Sequence, residues 1–319
     1  MTRNVIEVEG LRKEYRGRGG KRVAAIDHLD LAVPEAGVFG FLGPNGSGKT
    51  TTIRCVLGLV RPTRGRMSLT GLPVPGGLHH AIRRVGAIVE SPALFPTMSG
   101  RENLRFLGAI DRIGARRVDE VLGVVGLEER ADDLVQKYSL GMRQRLALAG
   151  TLLKDPELLI LDEPANGLDP AGIRQVRALM RRLGDEGRTV FVSSHILSEI
   201  EHTCDRVAIL SHGRCVAQGT VHDVLASAGA SEAMLVKVDD LDAGVAALHR
   251  AGLGAERLDG RVRVAIPPTE AERVTRALAR EQQWVTDLRP EERSLEDLFL
   301  ELTDDHAPPR APAHEEVGA

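Results

Sequence analysis

One stretch constrains this chain more than any other: Gly43-Pro44-Asn45-Gly46-Ser47-Gly48-Lys49-Thr50-Thr51, a match to G-x-x-x-x-G-K-[ST]. An apolar run at 38–42 reads as a strand before it, and the residues from Thr50 to about Leu59 read as a helix after it. In that strand–loop–helix setting the glycines let backbone N–H groups converge on phosphate oxygens, which Cβ atoms would obstruct. The helix N-terminus adds partial positive charge at the same point. Lys49 is expected to reach the β- and γ-phosphates, and the Thr50 hydroxyl to coordinate Mg²⁺.

A second element supplies carboxylates. Leu158-Leu159-Ile160-Leu161-Asp162-Glu163-Pro164 reads as a buried strand delivering Asp162 and Glu163 at its end. Alternation along a strand aims the two side chains differently, which suits separate roles. Asp162 is expected to help hold Mg²⁺, and Glu163 to polarise an attacking water.

Around these motifs the first two-thirds of the chain alternates strand and helix patterns. Runs at 37–43, 85–90, 158–162 and 189–193 read as strands of a mainly parallel sheet, the last three continuously apolar as expected for burial on both faces. Residues 6–8 and 29–33 suggest an antiparallel accessory sheet. The stretch 92–155 reads as a helical insertion, with apolar spacing at Leu104, Leu107, Val121, Leu122 and Val125. After Thr220 the order becomes strand 234–238, helix 243–250, strand 255–258, an Asp259-Gly260 turn, strand 262–266, helix 270–281 and strand 285–289. This β-α-β-β-α-β order is that of a split-βαβ, ferredoxin-like unit. A final helix, with Ser294 and Asp297 as a capping pair, presents Leu295, Leu298, Phe299 and Leu302 on one face. The Pro/Ala-rich end is expected to be disordered.

Composition sets the outer limits. At 319 residues two domains are expected. Lys plus Arg number 42 and Asp plus Glu 45, a net charge of −3, so the basic surplus that nucleic-acid binding by bulk charge requires is missing. Cys55, Cys204 and Cys215 are far apart and odd in number, which points to a reducing compartment rather than a disulfide framework or zinc knuckle. No stretch approaches the roughly 20 apolar residues of a membrane span, and no apolar leader opens the chain.

Phosphate loop and Asp-Glu strand together indicate a P-loop NTPase. Tyr138-Ser139-Leu140-Gly141-Met142-Arg143-Gln144-Arg145 resembles the signature sequence of ATP-binding-cassette (ABC) ATPases. The usual Ser-Gly-Gly-Gln reads Ser-Leu-Gly-Met here, a departure shared with the drug-export branch of that family. Gly167-Leu168-Asp169-Pro170 resembles the D-loop that joins two halves of a dimer. His195 resembles the switch histidine that contacts the γ-phosphate, and Tyr15 the aromatic that stacks on adenine. Where the family usually carries a Mg²⁺-sensing glutamine this chain has Glu90, a carboxylate that could ligate the metal. The resemblance covers about residues 5–220, six motifs in one linear order.

The resemblance implies an α/β P-loop cassette with a mainly parallel core sheet, an antiparallel accessory sheet and a helical subdomain, followed by a small α+β ferredoxin-like domain. Residues 1–225 would form the ATP-binding domain, with the helical subdomain at about 92–155. Residues 232–304 would form the accessory domain and 305–319 a disordered tail. It further implies an ATPase using ATP and Mg²⁺, in which the phosphate loop of one subunit and Ser139, Leu140, Gly141 and Met142 of another sandwich ATP in a homodimer. The implied partner is a separate transmembrane permease, in two copies, at the cytoplasmic face of the membrane, through which a drug, antibiotic or lipid-like molecule is exported. A soluble regulatory or non-transport ABC ATPase, and an importer ATPase, are the alternatives. No residue names the cargo.

Overall fold

The computed structural model describes residues 3–16, 22–89, 94–227, 233–291 and 295–303. They divide into two compact units, the first running to Val221 and taking in the chain again from Glu301, the second comprising His222–Leu300.

In the first unit, six strands form the central sheet: β3 (Gly37–Leu42), β6 (Val85–Ile88), β7 (Leu158–Asp162), β8 (Thr189–Ser194), β9 (Arg206–Ser211) and β10 (Arg214–Thr220), in the order β10-β9-β3-β8-β7-β6. All neighbours are parallel except the edge strand β10. Every residue of β7 and β8 is buried, which is why their runs 158–161 and 190–192 are continuously apolar rather than alternating, with polar residues only at the strand ends. A four-stranded antiparallel sheet, β2-β1-β4-β5, joins β1 (Asn4–Arg16), β2 (Arg22–Pro34), β4 (Arg64–Leu69) and β5 (Leu72–Val74). Helix α1 (Lys49–Val56) shares a core with both sheets. Its Ile53 and Val56 belong to one apolar cluster with Leu11, Ile26 and Leu29 of the accessory sheet and Phe39, Phe41 and Phe191 of the central one. Phe191 stacks on Phe39 at 5.9 Å between ring centroids.

A short helix, α2 (Leu78–Ala81), precedes β6. The helical insertion consists of α3 (Gly100–Ala109), α4 (Ala115–Val124) and α5 (Leu140–Leu152), then α6 (Pro170–Asp185), α7 (Leu197–Thr203) and α8 (Val221–Ser227) complete the run. Leu104, Val121, Leu122 and Val125 are buried as their spacing predicts, while Leu107 is half-buried. Ser99 and Glu102 form a reciprocal capping box that starts α3.

The accessory strands are longer than the sequence suggests. Strands β1 and β2 each run 13 residues where only 6–8 and 29–33 read as strand. Their distal halves pair polar or aromatic residues of β1 with small or apolar ones of β2, mostly exposed or half-buried, so no clear hydrophobic period marks them. Strands β4, β5 and β10 left no clear pattern either, Arg64, Gly65 and Arg66 all being exposed, whereas β9 is an inner strand with a buried apolar run at 207–210 that the strand expectations did not include. The helix expected to reach Leu59 stops at Val56. Residue 90, expected at the end of β6, lies outside the described residues.

The second unit holds β11 (Met234–Lys237), α9 (Leu241–Arg250), β12 (Ala255–Leu258), β13 (Arg261–Val264), α10 (Ala271–Arg280) and β14 (Asp287–Pro290), with α11 (Leu295–Thr303) beginning in it. The sheet order is β12-β13-β11-β14, all antiparallel, so the β-α-β-β-α-β alternation folds as a split-βαβ sheet. Met234, Val236, Val262 and Val264 point to one side and pack with Leu248, Val274 and Leu278 of the helices. Asp259 and Gly260 both have positive φ, 42° and 75°, the signature of a type I′ hairpin. The last strand begins at Asp287 rather than 285, and the second helix is shorter at each end than 270–281. Ser294 and residues 305–319 lie outside the described residues.

Candidate nucleotide site at the phosphate loop

The loop between β3 and α1 turns back on itself. Gly48 caps α1 with φ 109°, and a Cβ built there would lie 2.6 Å from the Ala25 carbonyl oxygen. Only glycine fits both the left-handed backbone and that approach. Lys49 is 6% exposed, and its Nζ donates to Gly43 O at 2.6 Å and Pro44 O at 3.4 Å. The ammonium is therefore held over the loop by carbonyls of the loop itself. The Ser47 hydroxyl is buried without a hydrogen-bond partner, a cost that a bound acceptor would relieve.

A turn that the sequence reading missed braces this loop. Gly213 N donates to Ser47 O at 2.9 Å, and Asp27 N donates to Gly213 O at 2.9 Å. The β9–β10 turn thus bolts the phosphate loop to β2. Gly213 has φ 76° and its Cβ would fall 2.8 Å from Ile26 Cα. The only sequence signal is His212-Gly213 between two unread strands.

The carboxylates arrive from β7. Asp162 is 7% exposed and accepts from Ser193 Oγ on β8 at 2.5 Å. Glu163 N donates to the same Oγ at 3.0 Å and to Ser193 O at 3.2 Å. Ser193 is fully buried and is the second residue that sequence reasoning missed; it appeared only as the end of an apolar strand. Glu163 has φ 49°, a left-handed conformation uncommon for a side chain of this size. That conformation turns its carboxylate back over the loop. Glu163 Oε1 lies 3.4 Å from Lys49 Nζ, and Oε2 lies 2.8 Å from His195 Nδ1.

Phosphate loop, Glu163 and His195 surround a cleft of about 480 Å³ lined by Pro44, Asn45, Gly46, Gly48, Lys49, Thr50, Thr51, Ala25 and Asn166. The structure brings together the residues predicted for phosphate binding and for hydrolysis. Thr50 on the cleft wall and Asp162 nearby offer oxygen donors. Among the described residues no group of three or more His, Cys, Asp or Glu could hold a metal alone. That sparse donor set fits Mg²⁺, which takes one or two protein oxygens and completes its shell with phosphate oxygens and water. Glu90, the third expected ligand, lies outside the described residues.

Tyr15 does not line the cleft. It pairs with Val23 across the β1–β2 hairpin, is 41% exposed, and has Lys13 Nζ 4.9 Å from its ring centroid. Ala25, which does line the cleft, sits at the bulge between Lys13↔Ile26 and Glu14↔Ala24. Nor do Ser139, Gly141 and Met142 reach it. Ser139 caps α5, accepting from Met142 N at 3.2 Å, and Leu140 is 45% exposed. Leu140 lines a second cavity of about 480 Å³ that Asp162, Glu163 and Asn166 also border. Asp169 caps α6, accepting from Gly172 N at 2.8 Å, with Pro170 in the first helical turn.

Comparison with known proteins agrees with this geometry. A family model described as ABC transporter matches residues 26–166. An uncharacterized ABC transporter ATP-binding protein of Bacillus subtilis, YhcH, is 40% identical over 303 residues, spanning 94% of this chain and 96% of its own. The daunorubicin resistance ATP-binding protein DrrA3 of Streptomyces coeruleorubidus is 36% identical over 96% of this chain and 98% of its own. The bacitracin transport ATP-binding protein BcrA of Enterococcus faecalis is 34% identical over 93% and 96%. Among solved structures, CbiO1 of Clostridium perfringens, part of the ABC transporter complex CbiONQ, superposes with a TM-score of 0.62 at 30% identity, over 70% of this chain and 92% of its own. The dimeric cassette MJ0796 bound to ADP and phosphate superposes with a TM-score of 0.61 at 23% identity, over 68% and 98%, a likeness of fold. Phosphate loop, paired carboxylates and relatives of matching length converge: this chain belongs to the ABC transporter ATP-binding proteins.

Proposed function

We propose that this chain hydrolyses ATP as the nucleotide-binding subunit of an exporter, and that Glu163 is its general base. The observation that carries the reading is Glu163 itself, a carboxylate set between Lys49 and His195 above the phosphate loop. Loop N–H groups and Lys49 hold the phosphates at the N-terminus of α1. His195 Nδ1 orients Glu163 Oε2, and the carboxylate takes a proton from water as its oxygen attacks the γ-phosphorus and the bond to the β-phosphate oxygen breaks. Mg²⁺, held through Thr50 and Asp162, would neutralise charge on the phosphates when bound.

Ser139, Leu140, Gly141 and Met142 form a helix start outside the cleft lining, with Ser139 and Leu140 exposed and Gly141 and Met142 half-buried, which suits a donor surface for ATP bound to a second copy. Asp169 begins the neighbouring helix and would face the same interface. Charge-assisted hydrogen bonds of about 1.5–3 kcal/mol each would make ATP the adhesive of a homodimer. Loss of the γ-phosphate would then loosen it. Tyr15 would stack on the adenine from the hairpin above the loop.

The permease would dock beside the helical insertion. A groove of about 500 Å³ runs along the outer edge of β6, walled by Leu107 and Ile110 of the α3 region and by Ala147 and Gly150 of α5. Next in the chain to Leu94 of the groove lining, Phe95 is 43% exposed and packs edge-on against Phe106 at 5.1 Å. No helix among the described residues is long and apolar enough to cross a membrane, so the reading places the spans in a separate permease and this subunit at its cytoplasmic face. The export of drugs, peptide antibiotics or lipid-like molecules is supported by the bacitracin and daunorubicin relatives.

The test is Glu163→Gln. The amide keeps the shape and loses the base, so ATP binding should persist while turnover falls by roughly 10²–10⁴-fold and an ATP-bound dimer accumulates on sizing. Normal hydrolysis by that variant would remove Glu163 from the mechanism.

A further inference from the structure

The C-terminus of α4 is unusually well supplied with donors. Leu127 N donates to Leu122 O at 3.0 Å and Gly126 N to Gly123 O at 3.1 Å, with Gly126 at φ 62°, which is a complete Schellman cap. The carbonyls that this cap leaves over go to two arginines from two other helices. Arg145 of α5 donates through Nη1 to Val125 O at 2.7 Å and Gly126 O at 3.0 Å. Arg182 of α6 donates through Nη2 to Val124 O.

Arg145 is half-buried, and packing alone does not call for a cation there. Its Nε is buried with no partner, and no carboxylate pairs with it among the described residues. Burial pushes its guanidinium pKa down, with nothing opposing the shift. Its counter-charge is the partial negative end of α4. Gly126 turns the chain at φ 62°, which brings its carbonyl and that of Val125 to the guanidinium. The two helices that meet here start side by side at their other ends. A Cβ on Gly141 would lie 3.9 Å from Gly172 Cα, and one on Gly167 would lie 3.4 Å from Leu140 Cδ2.

We infer that the α4 C-terminus is a common anchor holding the helix that begins at Ser139 and the helix that begins at Asp169 as one body, and that Arg145 is a positioning residue for Ser139–Met142. The inference rests on the reading of those residues as the surface offered to ATP on a second copy. Arg145 stands six residues from Ser139, about 9 Å along the helix axis, so it acts through α5 and touches no nucleotide.

The experiment uses the full chain. Affinity for a non-hydrolysable ATP analogue is measured at protein concentrations where no dimer forms, alongside kcat at saturating ATP. ATP-trapped dimer is measured by sizing in a Glu163→Gln background. Arg145→Gln should hold analogue affinity within about twofold, lower kcat by roughly 10- to 100-fold, as a displaced group does, and abolish the trapped dimer. Arg145→Lys, which can still reach both carbonyls, should recover most of the dimer. Unchanged kcat and dimer in Arg145→Gln would overturn the inference. So would an equal fall in analogue affinity and kcat that Lys does not repair, since that pattern marks general loss of structure. If Glu163→Gln alone traps no dimer, the composite-site reading fails instead, and the split between kcat and affinity still decides the role of Arg145.

Discussion

Replacing Ser193 by Ala removes a single oxygen from the centre of the site, and the structure allows its effect to be worked out. That oxygen donates to Asp162 Oδ1 at 2.5 Å and accepts from Glu163 N at 3.0 Å, in a residue with no exposure to solvent. Glu163 N keeps its second acceptor, Ser193 O at 3.2 Å, so its loss is small. Asp162 has no such reserve at Oδ1 among the described residues. A buried hydrogen bond to a charged group contributes about 1.5–3 kcal/mol, and the vacated volume adds a few tenths. The total is about 2–3 kcal/mol. For a unit of roughly 200 residues each kcal/mol moves the midpoint by about 2–4 °C, so thermal unfolding should begin about 5–10 °C lower. The same substitution frees Glu163 from one of the contacts that hold it at φ 49°. Phosphate release at saturating ATP should therefore fall roughly 10- to 100-fold, the penalty expected for a displaced catalytic group, with ATP affinity little changed. Calorimetry and a phosphate-release assay on the same preparation read both effects. A midpoint within about 2 °C of the parent together with kcat within about twofold would show that Ser193 is a bystander.

Three other outcomes are expected. Lys49→Ala removes the ammonium held over the loop by Gly43 O and Pro44 O, and equilibrium binding should show nucleotide affinity down by at least about tenfold, since one charge-assisted hydrogen bond contributes about 1.5–3 kcal/mol; unchanged affinity would argue against the phosphate-loop assignment. Phe95→Glu puts a charge next in the chain to Leu94 of the β6 groove lining while leaving the exposed ring position open to water; co-purification with the permease should weaken while isolated ATPase activity and melting stay as in the parent, and equal recovery of permease would discard that docking site. Burial raises the thiols of Cys55 and Cys204 and pushes Cys215 up to about 11. The folded chain therefore keeps thiol protons that the unfolded chain releases above about 8.5, and these groups cost stability as pH climbs from there toward 11. Alkylation of the native protein at pH 8 should be slow at Cys55 and Cys204, both buried, and complete only after unfolding, with the half-buried Cys215 reacting ahead of them; rapid native labelling of Cys55 or Cys204 would contradict its burial.

How much was legible in the sequence depended on where the determinants lie along the chain. The phosphate loop, the Asp162-Glu163 pair, the start of α5 at Ser139 and the start of α6 at Asp169 are each encoded in consecutive residues. Glycine for a left-handed turn, an apolar run ending in carboxylates, and Ser or Asp as a helix cap are local demands of backbone geometry and capping. The split-βαβ order of the second unit was readable for the same reason, through its alternating strands and the Asp259-Gly260 turn. The outer ends of β1 and β2 and the edge strand β10 were not, because their side chains are exposed or half-buried and leave no clean apolar period in the chain.

The phosphate-loop pattern and the carboxylate proposed as base were thus legible in the sequence alone, since both need only the right residue types at fixed short spacings. Tertiary structure decided what holds them in place. Ser193 meets Asp162 because β7 and β8 pair in parallel at that register, Gly213 meets Ser47 because β9 lies beside β3, and Arg145 and Arg182 each reach carbonyls at the end of α4 because α5 and α6 pass beside it. Each of these contacts joins residues far apart in the chain, where no local rule of backbone or side chain can specify the partner; only the packing of sheets and helices into one core brings them within a hydrogen bond's reach.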